Sequence, residues 1–303
     1  MSYAADVKKE LTTIEVHREH AKAELAALIK MNGALSVSNG RFNLNIQSEN
    51  SAIARRIFTL LKEYFGVTSE LLVRKKMKLK KNNVYIVRIR YYVNDLLNEL
   101  DIMDSMTLDT GISDEIRLNP QKMRSYLRGA FLASGSINNP ENANYHLEIY
   151  SLYETHNEDI IELMNHFNLN ARGVKRKNGY IAYIKSAEAI SEFLIVIGAT
   201  NAMLKFEDIR IVRDFRNSTN RLINCETANM NKTADAAKKQ IAAIEKIKNT
   251  CSLESLSEKL QELANLRLEN PEMSMQELAE EIGISKSATN HRMKSILEFS
   301  EEI

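Results

Sequence analysis

One short segment of this chain occurs twice. Leu25-Ala26-Ala27-Leu28-Ile29-Lys30-Met31-Asn32-Gly33 aligns without a gap on Leu127-Arg128-Gly129-Ala130-Phe131-Leu132-Ala133-Ser134-Gly135, at an offset of 102. The residues after each copy keep the same order. Phe42–Ile46 matches Tyr145–Ile149 at an offset of 103, and Ile57, Leu60 and Leu61 match Ile160, Leu163 and Met164. Val84–Ile89 has its counterpart in Tyr180–Ile184. An internal duplication restricts the fold to two copies of one supersecondary unit that complete each other's core. The second copy carries Gly129, Ala130 and Ala133 on one helical face, small enough to press against another helix, and it holds no acidic residue.

Each unit reads as helix–hairpin–helix–hairpin–helix. Residues 2–30 have helical periodicity through Val7, Leu11, Ile14, Leu25, Leu28 and Ile29. Asn32-Gly33 ends that stretch. Strands Ala34–Val37 and Phe42–Ile46 are joined by Ser38-Asn39-Gly40, a strong hairpin signal. A helix over Ser51–Phe65, a hairpin over Ser69–Lys75 and Asn83–Arg90, and a short helix over Asp95–Met103 complete the first unit. Thr107–Leu118 connects to the second, which closes with a helix over Ser186–Ile197 and Gly198.

The remainder is helical. Residues 203–248 contain no proline and predict one or two long helices, with a break expected around Asn217–Asn224. A compact helical unit comes next. Its first helix carries Leu256, Leu260, Leu263, Leu266 and Leu268 and is broken at Asn270-Pro271. Ser274 caps a second helix with Glu277 three residues on, Gly283 makes a turn, and Ser285 starts a third helix. The expected class is α+β: a duplicated core followed by an all-α terminal domain. The boundaries expected are 1–106, 107–200, a helical linker 201–252, and 253–303.

With 41 Lys+Arg against 40 Asp+Glu, whole-chain charge points to no partner. Its distribution is uneven: Arg221–Ile303 holds 11 basic and 14 acidic residues, leaving an excess of bases in the rest. Cys225 and Cys251 are too few for a disulfide framework and lack metal-ligand spacing, which predicts reduced thiols in a cytoplasmic protein. The polar, charged N-terminus is unlike a signal peptide. No apolar run approaches the roughly 20 residues of a membrane span.

Two features point to nucleic acid. Ser274–Leu297 has the helix-turn-helix pattern, in which two helices pack steeply around a glycine turn. Its third helix is expected to expose Lys286, Ser287, Thr289, Asn290, His291, Arg292 and Lys294. Arg and Asn can pair with guanine and adenine edges, and Lys and Ser can grip phosphate. Glu277, Glu280 and Glu281 on the preceding helix favour base reading over a non-specific electrostatic grip. The second feature is a basic hairpin: Arg74, Lys75, Lys76, Lys78, Lys80, Lys81, Arg88 and Arg90, with no acid between them. A weaker version recurs in Arg172, Lys175, Arg176, Lys177 and Lys185. Strand alternation places several of each set on one sheet face, where they are either phosphate partners or a solvated surface.

The segments at Leu25–Gly33 and Leu127–Gly135 resemble the signature helix of LAGLIDADG homing endonucleases. That resemblance implies a duplicated core with the two helices packed at its centre and two sheets forming a DNA saddle. With the terminal helix-turn-helix, the whole chain resembles the WhiA family of bacterial sporulation and cell-division regulators. Asn220-Arg221-Leu222-Ile223-Asn224-Cys225-Glu226-Thr227-Ala228-Asn229, Lys232-Thr233 and Ala236-Ala237 look like that family's linker motif. Asn270-Pro271 and Ile284-Ser285-Lys286-Ser287 with Asn290-His291-Arg292 look like its terminal domain.

In the endonucleases the acid before the final glycine of each signature helix binds a divalent metal. Here those places hold Asn32 and Ser134, and the motif's other acidic position holds Lys30 and Leu132. An amide, a hydroxyl and a lysine do not make a hard-cation site. Glu148 and Asp109 are stray acids, and the pair His17 and His20 reads as solvated. The resemblance thus implies a non-enzymatic, nucleoid-associated transcription regulator that binds double-stranded DNA, with no cofactor, metal or small-molecule ligand. RNA polymerase or a sigma factor is a further implied partner. The alternatives are an active endonuclease, or a chromosome or division factor acting through protein contacts.

Overall fold

The computed structural model describes residues 2–38, 40–75, 83–104, 107–108, 111–142 and 144–303. It divides into two compact units, Met1–Arg213 and Asp214–Ile303. In the first unit the chain runs α1 (Tyr3–Leu11), α2 (Arg18–Asn32), β1 (Gly33–Ser38), β2 (Arg41–Ser48), α3 (Ser51–Phe65), β3 (Glu70–Lys75), β4 (Asn83–Ile89) and α4 (Val93–Glu99). A minimal ladder, β5 (Met103–Asp104) with β6 (Thr107–Leu108), and the single turn α5 (Asp114–Arg117) lead into the second copy. That copy is α6 (Pro120–Ser134), β7 (Gly135–Ile137), β8 (Leu147–Ser151), α7 (Glu154–His166), β9 (Arg172–Arg176), β10 (Gly179–Ile184) and α8 (Ala187–Ile197).

The duplication read from the sequence is present in the topology. The sheets have the orders β1-β2-β4-β3 and β7-β8-β10-β9, antiparallel throughout. Each begins at the glycine that ends a signature helix. α2 and α6 lie against each other at the centre. A Cβ added to Gly129 would collide with the Glu24 carbonyl and stand 2.9 Å from the Ala27 Cβ. Ala27 and Gly129 are counterparts under the offset of 102, so the closest approach falls at equivalent points of the two copies.

The crossing also buries charge. Glu24 is fully buried and accepts from Arg56 Nε and Nη2 at 2.9 and 3.1 Å and from Arg128 Nε at 2.8 Å. Arg56 also donates to the Ile14 carbonyl, and Arg128 to Ser125 Oγ and the Ile197 carbonyl. The guanidinium donors are thereby satisfied, which a buried ion cluster requires.

α9 (Thr200–Thr250) is continuous, contrary to the break expected around Asn217–Asn224. The segment has no Gly or Pro, and its Thr219 and Thr233 hydroxyls donate to the carbonyls of Phe215 and Asn229, each four residues back. Such back-bonding costs the helix little, and with no Gly or Pro in the segment nothing interrupts its backbone bonds. The helix starts in the first unit, where Glu10 accepts from the N–H groups of Asn201 and Ala202 at 2.8 and 2.9 Å. In the second unit Ile244 and Ile247 join a core with residues of α10 (Glu258–Glu269), α11 (Met275–Ile282) and α12 (Lys286–Glu302). Smaller differences from the sequence reading are a non-helical stretch between α1 and α2, a shift of β8 to Leu147–Ser151, and an earlier start of α4. No helix among the described residues is long and apolar enough to cross a membrane.

Candidate nucleic-acid interface

In the second unit, α11 and α12 are set by local chemistry. Ser274 Oγ accepts from Glu277 N at 3.3 Å while the Glu277 carboxylate accepts from Ser274 N at 2.6 Å. This reciprocal pair is the expected capping box, and the Ser274 N–H holds the Glu277 carboxyl below its usual range. Gly283 turns the chain at φ +73°, and Ser285 caps α12. Lys286, Ser287, Asn290, His291 and Lys294 are all exposed. Their spacing of one and three or four residues puts them on one helical face.

Two residues expected on that face are elsewhere. Thr289 is fully buried, with its hydroxyl donating to the Ser285 carbonyl at 3.2 Å. The Arg292 guanidinium is turned onto α10, 3.5 Å from the Glu262 carboxylate and from the Lys259 carbonyl. Thr289, Met293, Ile296 and Ser300 form the buried stripe of α12, and Arg292 borders it. Lys294 faces Glu298 one turn on at 3.5 Å.

In the first unit, register assigns the basic residues to faces. Leu44, Ile46, Val87 and Ile89 point into the helix-packed core. Their alternates therefore line the opposite, open face: Arg41, Asn43, Asn45 and Gln47 on β2, Arg88 on β4, and Glu70 and Arg74 on β3. Arg88 Nε donates to Asn45 Oδ1 at 2.7 Å. Arg90, beyond the end of β4, pairs with Glu70 at 3.1 Å, so the hairpin is not free of acid. Lys75 has the parity of the helix side. Lys76, Lys78, Lys80 and Lys81 lie outside the described residues. In the second sheet Arg172 and Arg176 are on the open face. Lys175 shares the parity of Gly173, whose added Cβ would meet Ile161 of α7, and its ammonium lies 5.6 Å from the Tyr180 ring centroid. Lys177 is exposed in the β9–β10 turn, and the Lys185 ammonium sits 5.1 Å from the Tyr183 ring centroid. The row Arg41, Asn43, Asn45 and Gln47 was not singled out in the sequence, although its alternation with Phe42, Leu44 and Ile46 signals it.

The places of the endonuclease acids are occupied otherwise. Asn32 Nδ2 donates across the crossing to the Ala133 carbonyl at 3.4 Å, and Ser134 Oγ donates to the Tyr150 carbonyl at 2.6 Å. Lys30 donates to the Gly111 carbonyl and Leu132 is buried. Glu148 is 3.0 Å from His146 Nε2, and Asp109 lies outside the described residues. These groups do not fit a divalent cation. Among the described residues no group of three or more His, Cys, Asp or Glu side chains is placed to hold one.

Three family descriptions match the chain in order: the WhiA N-terminal LAGLIDADG-like domain over residues 18–103, the WhiA LAGLIDADG-like domain over 123–216, and the WhiA C-terminal HTH domain over 219–300. The chain belongs to the WhiA family. It is 63% identical to a probable cell division protein WhiA of Enterococcus faecalis, over all of this chain and 98% of that one. It is 61% identical to the probable cell division protein WhiA of Latilactobacillus sakei, over 99% of this chain and 97% of that one. Among solved structures it is similar to full-length DUF199/WhiA from Thermatoga maritima, with a TM-score of 0.62 and 29% identity over 100% of this chain and 98% of that one. It also matches the N-terminal LAGLIDADG domain of DUF199/WhiA at a TM-score of 0.52 and 27% identity, over 64% of this chain and 89% of that one. The family's third matched region, 219–300, takes in the second half of α9, beyond the terminal domain expected from Leu253 onward.

Proposed function

We propose that this WhiA-family protein is a sequence-specific DNA-binding regulator of transcription linked to bacterial cell division, working at the nucleoid in the cytoplasm. The observation that carries this is the single exposed face of α12, where Lys286, Ser287, Asn290, His291 and Lys294 stand together behind a capping box and glycine turn. Such a face suits the major groove, with Asn290 able to pair with adenine and the lysines with phosphate. The names of the relatives support the link to division. The open sheet faces of the core supply a second surface, for DNA backbone or for RNA polymerase or its sigma factor. The residues at the endonuclease acid positions support a core without nuclease chemistry.

Selection of bound duplexes from a random-sequence pool by the full-length protein tests this. A single enriched motif is expected, and Asn290→Ala should lower affinity for it by about 1–3 kcal/mol while relaxing one base position. Recovery of no motif would overturn sequence-specific reading. Double-strand cleavage of a plasmid by the pure protein with Mg²⁺ would overturn the non-enzymatic core and restore the endonuclease alternative.

A further inference from the structure

The second unit contains a cavity of about 290 Å³ bounded by α9, α10, the start of α11 and the start of α12. Its lining includes Lys232 and Gln240 of α9, Arg267 of α10, Gln276 of α11, and Lys286 and Asn290 of α12, and no carboxylate. Three cationic side chains thus surround one space.

Arg267 makes this more than a basic surface. It is only 1% exposed. Its guanidinium donates to the Met273 carbonyl at 2.5 Å and the Asn270 carbonyl at 3.4 Å, and Nη2 touches the Met275 thioether, while Nε is buried with no hydrogen-bond partner. Among the described residues no carboxylate neutralises it. A buried charge with only neutral partners is costly and calls for a counter-ion. Gln240 is similarly underused. It is 7% exposed, its Nε2 meets only the Met275 sulfur at 3.6 Å, and its Oε1 is buried without a partner. Rotation of the amide would turn its donor to the place of that oxygen. Lys232 and Lys286 have no ion pair among the described residues. The positive end of the α11 dipole adds to the same field, and Glu277 on that turn is engaged with Ser274.

The space wants an anion, and Lys286 and Asn290 belong both to this lining and to the exposed face of α12. A duplex read by α12 therefore carries its own backbone past the cavity mouth. We propose that the cavity receives a phosphodiester of the DNA backbone. Lys232 and Lys286 contact it, and the buried Arg267 holds the potential of the floor positive. This rests on the DNA-binding reading above and deepens it: a residue of the segment expected to be only a linker becomes part of the DNA interface.

The test uses the full-length chain, a labelled duplex recovered from the selection and a scrambled duplex, titrated across salt concentration. Lys232→Ala should weaken binding to both duplexes alike, by about threefold to fivefold, and lower the salt slope by about 0.9. Lys232→Arg should restore both. Inorganic phosphate, compared with chloride at matched ionic strength, should raise the thermal midpoint of the wild type more than that of Lys232→Ala. If the wild type binds DNA and Lys232→Ala shows unchanged affinity and slope, the phosphodiester assignment is wrong and the DNA reading stands. If the wild type binds neither duplex, the DNA reading itself fails. Protection by inorganic phosphate in that case would reassign the cavity to a free phosphate, which also overturns the proposal. A lowered thermal midpoint of Lys232→Ala in chloride would mark a structural role instead.

Discussion

In the first repeat Glu24, on α2 one residue before the signature segment, binds Arg56 of α3. In the second, its counterpart 102 residues on is Tyr126, whose hydroxyl lies 2.7 Å from His156 Nε2 on α7. His156 in turn aligns, at the offset of 103 that relates those helices, with the buried Ile53. One copy thus packs its outer helix on the signature helix through an ion cluster, the other through a neutral hydrogen-bonded pair. The asymmetry is joined at the centre, because Glu24 also takes Arg128 from the second copy. Duplication preserved the backbone path and the close approach at Ala27 and Gly129, while the polar groups beneath it diverged. The comparison shows which contacts a pair of crossed helices needs and which it can exchange.

Removing the shared member should have the largest effect. Glu24→Ala leaves two buried guanidinium groups facing each other without an acid. A loss of about 3–5 kcal/mol in unfolding free energy is expected, a large fraction of what a domain possesses. Chemical denaturation of the full-length protein, followed on the first unit, measures it. A loss below about 1 kcal/mol, the range of an exposed pair, would show that water reaches the cluster.

The second repeat's pair should respond to pH. Burial pushes His156 down to about 4 from 6.5. Ser151 Oγ donates to the Tyr153 carbonyl and is 2.9 Å from His156 Nδ1, so Nδ1–H donates to Ser151 and Nε2 accepts from Tyr126. Protonation would place a second donor against the Tyr126 hydroxyl. The unfolded state binds a proton below about pH 6.5 and the folded state only near pH 4. Stability from this group is therefore complete above about pH 6.5, falls as pH drops, and is lost by about pH 4, a total of about 3 kcal/mol. His156→Gln should remove that part of the acid sensitivity, read as the difference between the two pH–stability curves. Parallel curves would mean that the histidine titrates alike in both states.

The crossing helices were legible because small residues at helical spacing and a terminal glycine are local features. The same holds for the capping box at Ser274 and the turn at Gly283. The ion cluster was not, since Arg56 and Arg128 lie 32 and 104 positions from Glu24, and an acid in a helix reads as a surface group until its partners fold onto it. Alternation along β2 and β4 was visible, but which parity meets the helices is fixed by tertiary packing. For the same reason Arg74 and Lys75, adjacent in sequence, point to opposite faces. On α12 the sequence shows the helix but only part of its rotation: packing against α10 and α11 draws Thr289 inward and ties Arg292 to Glu262. Lys232 is marked in the sequence only as part of a linker-like motif, because the cavity beside it is closed by α10, α11 and α12.

The smallest effects expected separate the two open sheet faces. On the first, Arg41, Asn43 and Gln47 have no side-chain hydrogen-bond partner among the described residues, and three arginines, Arg41, Arg74 and Arg88, share that face. On the second, Tyr150 donates to the Asn178 carbonyl, His146 meets both Glu148 and the Tyr183 ring, and β7 is only three residues long. Groups that satisfy one another have less to offer a ligand, whereas free amides and guanidiniums can be exchanged from water to phosphate at little cost. If the core touches DNA, Arg41→Ala with Arg74→Ala should lower the salt slope by about 2, one contact's worth for each. Arg172→Ala with Arg176→Ala should lower it by less, because Tyr150, His146 and Glu148 on their sheet face are already engaged with one another or with the backbone. Equal slopes for the two double variants would show that the faces are equivalent despite their different chemistry. Slopes unchanged in both would assign all phosphate contacts to the terminal unit and leave the sheets for a protein partner.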